Sequence, residues 1–165
     1  MSDPWQLLAD AHRRVWRASE ALTRAGIRHA VIGSHAVDHW VSRAVGANAM
    51  FSTRVNILVE RGNAEAAQDA LIVADAWPIR LRFAGERPEG WYCPLPPLDD
   101  VAEDGDRRVI GLGTLVRMLL GSWRLIDRVH LGQFAVEGLI GPAWTRRFRG
   151  GLAERLQHLL DNPEG

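Results

Sequence analysis

At 165 residues with 47% apolar content, the chain has enough material for one substantial core and reads as one soluble globular domain, 1–165, with a sheet-containing part over 1–110 and a helical part over 111–165. Twenty arginines, with no lysine, balance twenty acids; residues 1–106 carry 11 Arg against 15 acids and 107–165 carry 9 against 5, a polarity of about −4 and +4 that falls short of the basic footprint of a dedicated nucleic-acid binder. No apolar run nears the ~20 residues of a bilayer span, and Met1-Ser2-Asp3-Pro4 opens an amphipathic helix rather than a signal peptide, so no membrane association and a cytoplasmic location are expected. The single cysteine, Cys93, leaves no intramolecular disulfide or cysteine zinc cluster and reads as a packed thiol.

Asp3-Pro4 marks a helix start, and Leu8, Ala11, Val15, Ala18 and Leu22 keep one apolar stripe until Gly26. His29-Ala30-Val31-Ile32 reads as a buried strand ending at Gly33. Ser34 can then cap a second helix with Ala36, Val37 and Trp40 or Val41 inward, and 44–52 reads as a loop. Val55, Ile57 and Val59 alternate with Arg54, Asn56 and Leu58, a strand on which Arg54 and Asn56 share a face. A helix from Gly62-Asn63 follows, then a strand over 79–83 with Arg80 and Arg82 on its cationic side. Residues 84–107, rich in Gly, Pro and acids, read as a long loop with a short strand near Trp91 to Pro94. Val109-Ile110 suggests a further strand, followed by two helices divided near Gly121-Ser122, a turn around Trp144 and a last helix over 152–160.

The chemistry-bearing feature is Gly33-Ser34 between a strand and a helix, a turn that can offer backbone N–H groups and a hydroxyl to phosphate. On the next strand, Thr53-Arg54-Val55-Asn56-Ile57-Leu58-Val59, alternate positions are where two metal-holding carboxylates would be needed, and they read Arg54 and Asn56.

This order of helix, strand, Gly-Ser turn, helix and strand resembles the minimal nucleotidyltransferases of the polymerase-β-like superfamily, whose members include components of toxin–antitoxin systems. Phe83-Ala84-Gly85-Glu86, Leu115-Val116-Arg117-Met118 and the stretch from Ser122 to His130 also resemble bacterial members, so the resemblance spans roughly residues 15–160. It implies an α/β (α+β) fold, a mixed sheet flanked by helices with a helical C-terminal region. It further implies a nucleotide with its phosphates over Gly33 and Ser34, and two Mg²⁺ ions held by three carboxylates. Carried over by position, those carboxylates fall at Arg54, Asn56 and Arg80. Guanidinium groups repel the ions that carboxylates would hold, so transfer chemistry of the family's kind is not expected.

The expectation is therefore a catalytically degenerate protein with no catalytic residue, no metal and no cofactor, which binds a nucleotide or an acidic protein partner through Gly33, Ser34, Arg54 and Arg80. The competing reading of the replacement is a decayed site whose arginines extend into solvent or pair with acids such as Asp38. Two further alternatives are an active Mg²⁺-dependent transferase moving NMP from an NTP to a protein or small molecule, recruiting Glu60 or the acids from Asp99 to Asp106, and an interaction module that exposes Trp91 and Tyr92. His35 and His39, four apart around Asp38, have a plausible zinc spacing, but a third ligand is not identifiable and packing histidines are the expectation. Arg124, Asp127, Arg128 and His130 read as solvated helical surface. Seven scattered tryptophans suit packing better than base stacking. No P-loop, dinucleotide fingerprint or Gly-x-Ser-x-Gly elbow is present.

Overall fold

The computed structural model describes residues 1–46 and 52–163. Helix α1 (Pro4–Arg24) begins at Asp3, whose carboxylate accepts from the Trp5 N–H, and buries Ala11, Val15, Trp16, Ala18, Ser19 and Leu22. Strand β1 (His29–Ile32) is buried along its whole length. It runs into Gly33 and then helix α2 (Ser34–Val45). Strand β2 (Asn56–Val59), a 3-10 turn over Arg61–Asn63 and helix α3 (Ala64–Val73) lead to strand β3 (Arg80–Phe83). Strands β4 (Val101–Asp104) and β5 (Arg107–Ile110) form a hairpin. Helices α4 (Leu112–Ser122), α5 (Leu125–Val136) and α6 (Gly150–Asp161), with a 3-10 segment at Pro142–Arg147, complete the described chain.

The fold is α/β with one mixed five-stranded sheet in the order β3-β2-β1-β5-β4. β1 pairs antiparallel with β2 and parallel with β5, so the Gly33 end of β1 lies beside the start of β2, with Ile32 opposite Asn56. β3 runs parallel to β2 and sets Arg80 opposite Asn56 and Arg82 opposite Leu58. Helix α1 lies across β1 and β5 and packs on α3, while α4, α5 and α6 pack on one another. Phe134, Leu22, Ile57, Leu58, Leu115 and Leu120 are among the largest fully buried side chains.

A polar chain of Ser19, His29 and the Arg108 backbone crosses this core with the Ser19 hydroxyl and both His29 ring nitrogens paired. The Arg108 N–H donates to Ser19 Oγ at 2.8 Å, Ser19 Oγ lies 2.8 Å from His29 Nε2, and His29 Nδ1 lies 2.8 Å from the Ile27 carbonyl. Since Ser19 Oγ accepts from Arg108, its hydrogen goes to Nε2, and His29 carries its own proton on Nδ1 as a neutral imidazole.

Several elements differ from the expectations. Gly33, not Ser34, occupies the N-cap of α2, and among the described residues no side chain caps the first amides of that helix. α2 also extends through Val45, into the stretch read as a loop; 47–51 lies outside the described residues. Arg54 precedes β2 instead of lying within it. No strand forms near Trp91 to Pro94; the strand in this region is β4, inside the acidic run. Its pairing is electrostatic as well as backbone-made, because Glu103 faces Arg108 and Asp104 faces Arg107 across the hairpin. Gly105 turns that hairpin at a φ of +59°, where a β-carbon would be strained. The sign change in the chain's charge thus falls in one turn. Glu103 and Arg108 lie 3.6 Å apart, and Arg107 reaches back to Glu20 at 3.2 Å.

Candidate functional site

A cavity of about 750 Å³ opens where the C-terminal end of β1 meets the start of β2 and the first turn of α5. Gly33, Ser34, Arg54, Asn56 and Arg80 all line it, so residues chosen from three separate stretches of sequence converge on one space. The sheet register explains the convergence. Asn56 sits beside Ile32 on one side and Arg80 on the other, and paired residues of neighbouring strands project to the same face. Arg54 and Arg82 fall two residues along from these positions and join the same wall.

The cavity is electropositive. Arg54, Arg80, Arg82 and Arg124 line it, against Glu89 and Asp127 as the carboxylates among the described residues. Asp127 is 2% exposed and already engaged: it accepts from Ser122 Oγ, from the Arg124 backbone N–H at 2.9 Å and from the Arg124 guanidinium at 2.9 and 3.2 Å. Its role is to begin α5, holding the amide that precedes the first turn. Arg54, Arg80 and Arg82 form no ion pair among the described residues. Burial pushes the Arg82 guanidinium below its usual range, and the positive charges of Arg80 and Arg124 add to the shift, with Glu86 opposing it. Arg54 is exposed and makes no pair with the buried Asp38 among the described residues.

At the floor of the cavity the turn contributes backbone rather than side chain. Gly33 has φ +70° and ψ −150°, and its carbonyl accepts from Ala36 and Val37 as α2 begins. Among the described residues no side chain caps the earlier amides of the helix, so their N–H groups, at the positive end of the helix dipole, can face an anion.

Three expectations are corrected by the burial pattern. Asp127 and His130, read as solvated surface, are 2% and 3% exposed and line the cavity with Ser122 and Arg124. Arg124 and Arg128 are exposed, as expected, and of the four only Arg128 lies outside the cavity lining. Trp91, read as exposed, is half-buried on the cavity wall with the Arg124 guanidinium 5.9 Å from its ring; Tyr92 is 54% exposed. Burial holds His130 below the usual imidazole range; Asp127 pulls it up and Arg124 pushes it down. Cys93 is buried against Gly121, as a packed thiol.

A two-Mg²⁺ site of the family's kind does not fit these residues. The positions to which the resemblance would assign its three ligands hold Arg54, Asn56 and Arg80, and among the described residues the one buried carboxylate of the cavity is engaged by Arg124 and Ser122. Glu60 follows the far end of β2, beyond Val59 and its partner His29, and neither it nor Asp99, Asp100, Glu103, Asp104 or Asp106 lines the cavity.

Among the described residues, the cluster that could hold a metal lies elsewhere. It joins His35 and Asp38 of α2 to His12 of α1, not to His39. The His39 ring lies 5.9 Å from that of Trp16 and 5.3 Å from that of Trp40. The chain matches no protein-family model, no curated protein and no solved structure. No helix among the described residues is long and apolar enough to cross a membrane.

Proposed function

We propose that the cavity is a metal-independent binding site for a nucleotide or another phosphorylated ligand, on a nucleotidyltransferase-like scaffold that has lost the transfer chemistry. The observation that supports this reading is the gathering of the Gly33-Ser34 turn and four arginines around one space of about 750 Å³, within the ~300–1,000 Å³ of small-ligand sites. Guanidinium groups give phosphate oxygens paired, charge-assisted hydrogen bonds without any requirement for a cation. An anion in this space also relieves a repulsion the protein otherwise carries, because Arg82 is held among Arg80 and Arg124 with no carboxylate paired to it among the described residues. Trp91 adds an apolar wall on which a base can rest. An acidic side chain from a protein partner would satisfy the same arginines, but the concave shape favours a small ligand.

The test is a set of melting curves with ATP, pyrophosphate and adenosine, each with chelator and with excess Mg²⁺. A ligand present at 100 times its Kd stabilises by about 2.7 kcal/mol, which for a chain of this size raises Tm by roughly 5–10 °C. ATP and pyrophosphate are expected to give such a shift in chelator, and adenosine a much smaller one. No shift with either phosphate compound, or a shift that appears only with Mg²⁺, would overturn the proposal.

A further inference from the structure

His35 is the second residue of α2 and is 1% exposed; Asp38, one turn on, is 2% exposed. His12, half-buried on α1, brings a second imidazole to them, and atoms able to act as ligands on all three side chains lie within 4.8 Å of one another. His35 Nδ1 and Asp38 Oδ2 are 4.0 Å apart. The geometry points to a binding site for a divalent transition metal of the zinc class, ligated by His12, His35 and Asp38, with water completing a four-coordinate shell.

Two imidazoles and one carboxylate are a donor set that zinc accepts with an open fourth position. Zinc bonds of 2.0–2.2 Å place tetrahedral ligand atoms about 3.4 Å apart, so the separations have to close by at most roughly 1.4 Å. Side-chain rotation of His12, which approaches from a different helix, can supply that closure.

The protonation state suits coordination. Burial is the main cause that pushes both imidazoles down, His35 to about 4, so each is neutral at pH 7 and has a lone pair to give. His12 Nδ1 and both ring nitrogens of His35 are buried without a full hydrogen bond among the described residues. Ligating histidines commonly donate their second ring N–H to a backbone carbonyl, and the backbone of Ser52 and Arg54 lies against His35 closely enough to pull its pKa back upward.

The nearby cations do not veto the site. Arg107 and Arg13 both depress His12, but Arg13 is paired with Asp10 and Arg107 with Glu20. An ion here would tie α1 to the first turn of α2, one residue from Ser34. The anion cavity and the metal site therefore share a helix without sharing a ligand, and either can exist without the other.

The experiment uses the full chain, stripped by chelator and titrated with Zn²⁺ alone in calorimetry. One ion per chain is expected for the wild type and for His39→Gln. His12→Gln and Asp38→Asn should bind at least ~100-fold more weakly, since even outer-shell losses cost 10–100-fold in metal affinity. Absence of binding to the wild type, or loss in His39→Gln with retention in His12→Gln, would overturn the proposal. If either ligand variant fails to fold, Co²⁺ loaded onto the wild type decides instead. An intense visible band of a four-coordinate ion supports the site, and the pale spectrum of the aqueous ion refutes it.

Discussion

Gly33→Ala isolates the backbone on which the anion cavity is built. Gly33 sits at φ +70° and ψ −150°, a region essentially closed to residues with a β-carbon. Space is not the obstacle: an added β-carbon would lie 3.6 Å from Asn56 Nδ2, which is ordinary contact. The cost is therefore backbone strain alone, about 1–3 kcal/mol. At 2–4 °C per kcal/mol for a chain of this length, Tm falls by roughly 2–12 °C. Relief of the strain would also re-aim the first amides of α2, so the variant should lose affinity for ATP beyond what its lower stability explains. Gly132→Ala is the internal comparison: Gly132 is inside α5, has no strained φ, and an added β-carbon meets nothing within 4 Å. That substitution should stabilise by about 0.5–1 kcal/mol. Urea unfolding at constant m-value measures both. Equal stability of Gly33→Ala and wild type would refute the reasoning, as would a loss in Gly132→Ala matching that in Gly33→Ala.

Ser34→Ala should change stability by less than ~0.5 kcal/mol while weakening ATP binding, because the hydroxyl makes no cap bond among the described residues; a loss above ~1 kcal/mol would show that it caps α2 after all. Asp127→Ala should cost about 1–2 kcal/mol in denaturant unfolding, the worth of an N-terminal acceptor, and an unchanged midpoint would contradict the role given to it. His29 is held below the usual imidazole range chiefly by burial, so the unfolded chain takes up a proton first as pH drops. Stability is full above the unfolded value near ~6.5 and declines as pH falls from there toward the folded value. Other buried histidines act in the same direction, so His29→Gln should shrink, without abolishing, the difference in unfolding free energy between neutral and mildly acidic buffer; an unchanged difference counts against the neutral Ser19–His29 chain.

Local signals made much of this protein legible. Gly33-Ser34 after an apolar tetrad, and the alternation from Arg54 to Val59, are short-range patterns that need no knowledge of the rest of the chain. They sufficed to name Gly33, Ser34, Arg54 and Asn56, which one cavity brings together; Arg80, in the same cavity, was reached only by carrying over a position from the resemblance. Strand β4 was hidden because Val101-Ala102-Glu103-Asp104 has a loop's composition, and what stabilises it as a strand is the facing Arg107-Arg108. The acid run directly followed by two arginines across a glycine was the available signal. The burial of Asp127 and His130 depends on how α5 meets the sheet, which helical spacing alone does not reveal. His12 could not be joined to His35 and Asp38 from sequence, since only the packing of α1 against the sheet places it there. Spacing within α2 pointed to His39 instead, whose ring packs with Trp16 and Trp40.

The most direct test of the anion cavity is calorimetric titration of ATP, in chelator, into the wild type and into the double variant Arg80→Ala, Arg82→Ala. The wild type should bind one ATP per chain without metal, and the double variant about 100-fold more weakly, roughly tenfold for each charged contact removed. Equal affinity in the two proteins, or no heat from the wild type until Mg²⁺ is supplied, would contradict the arginine-lined site.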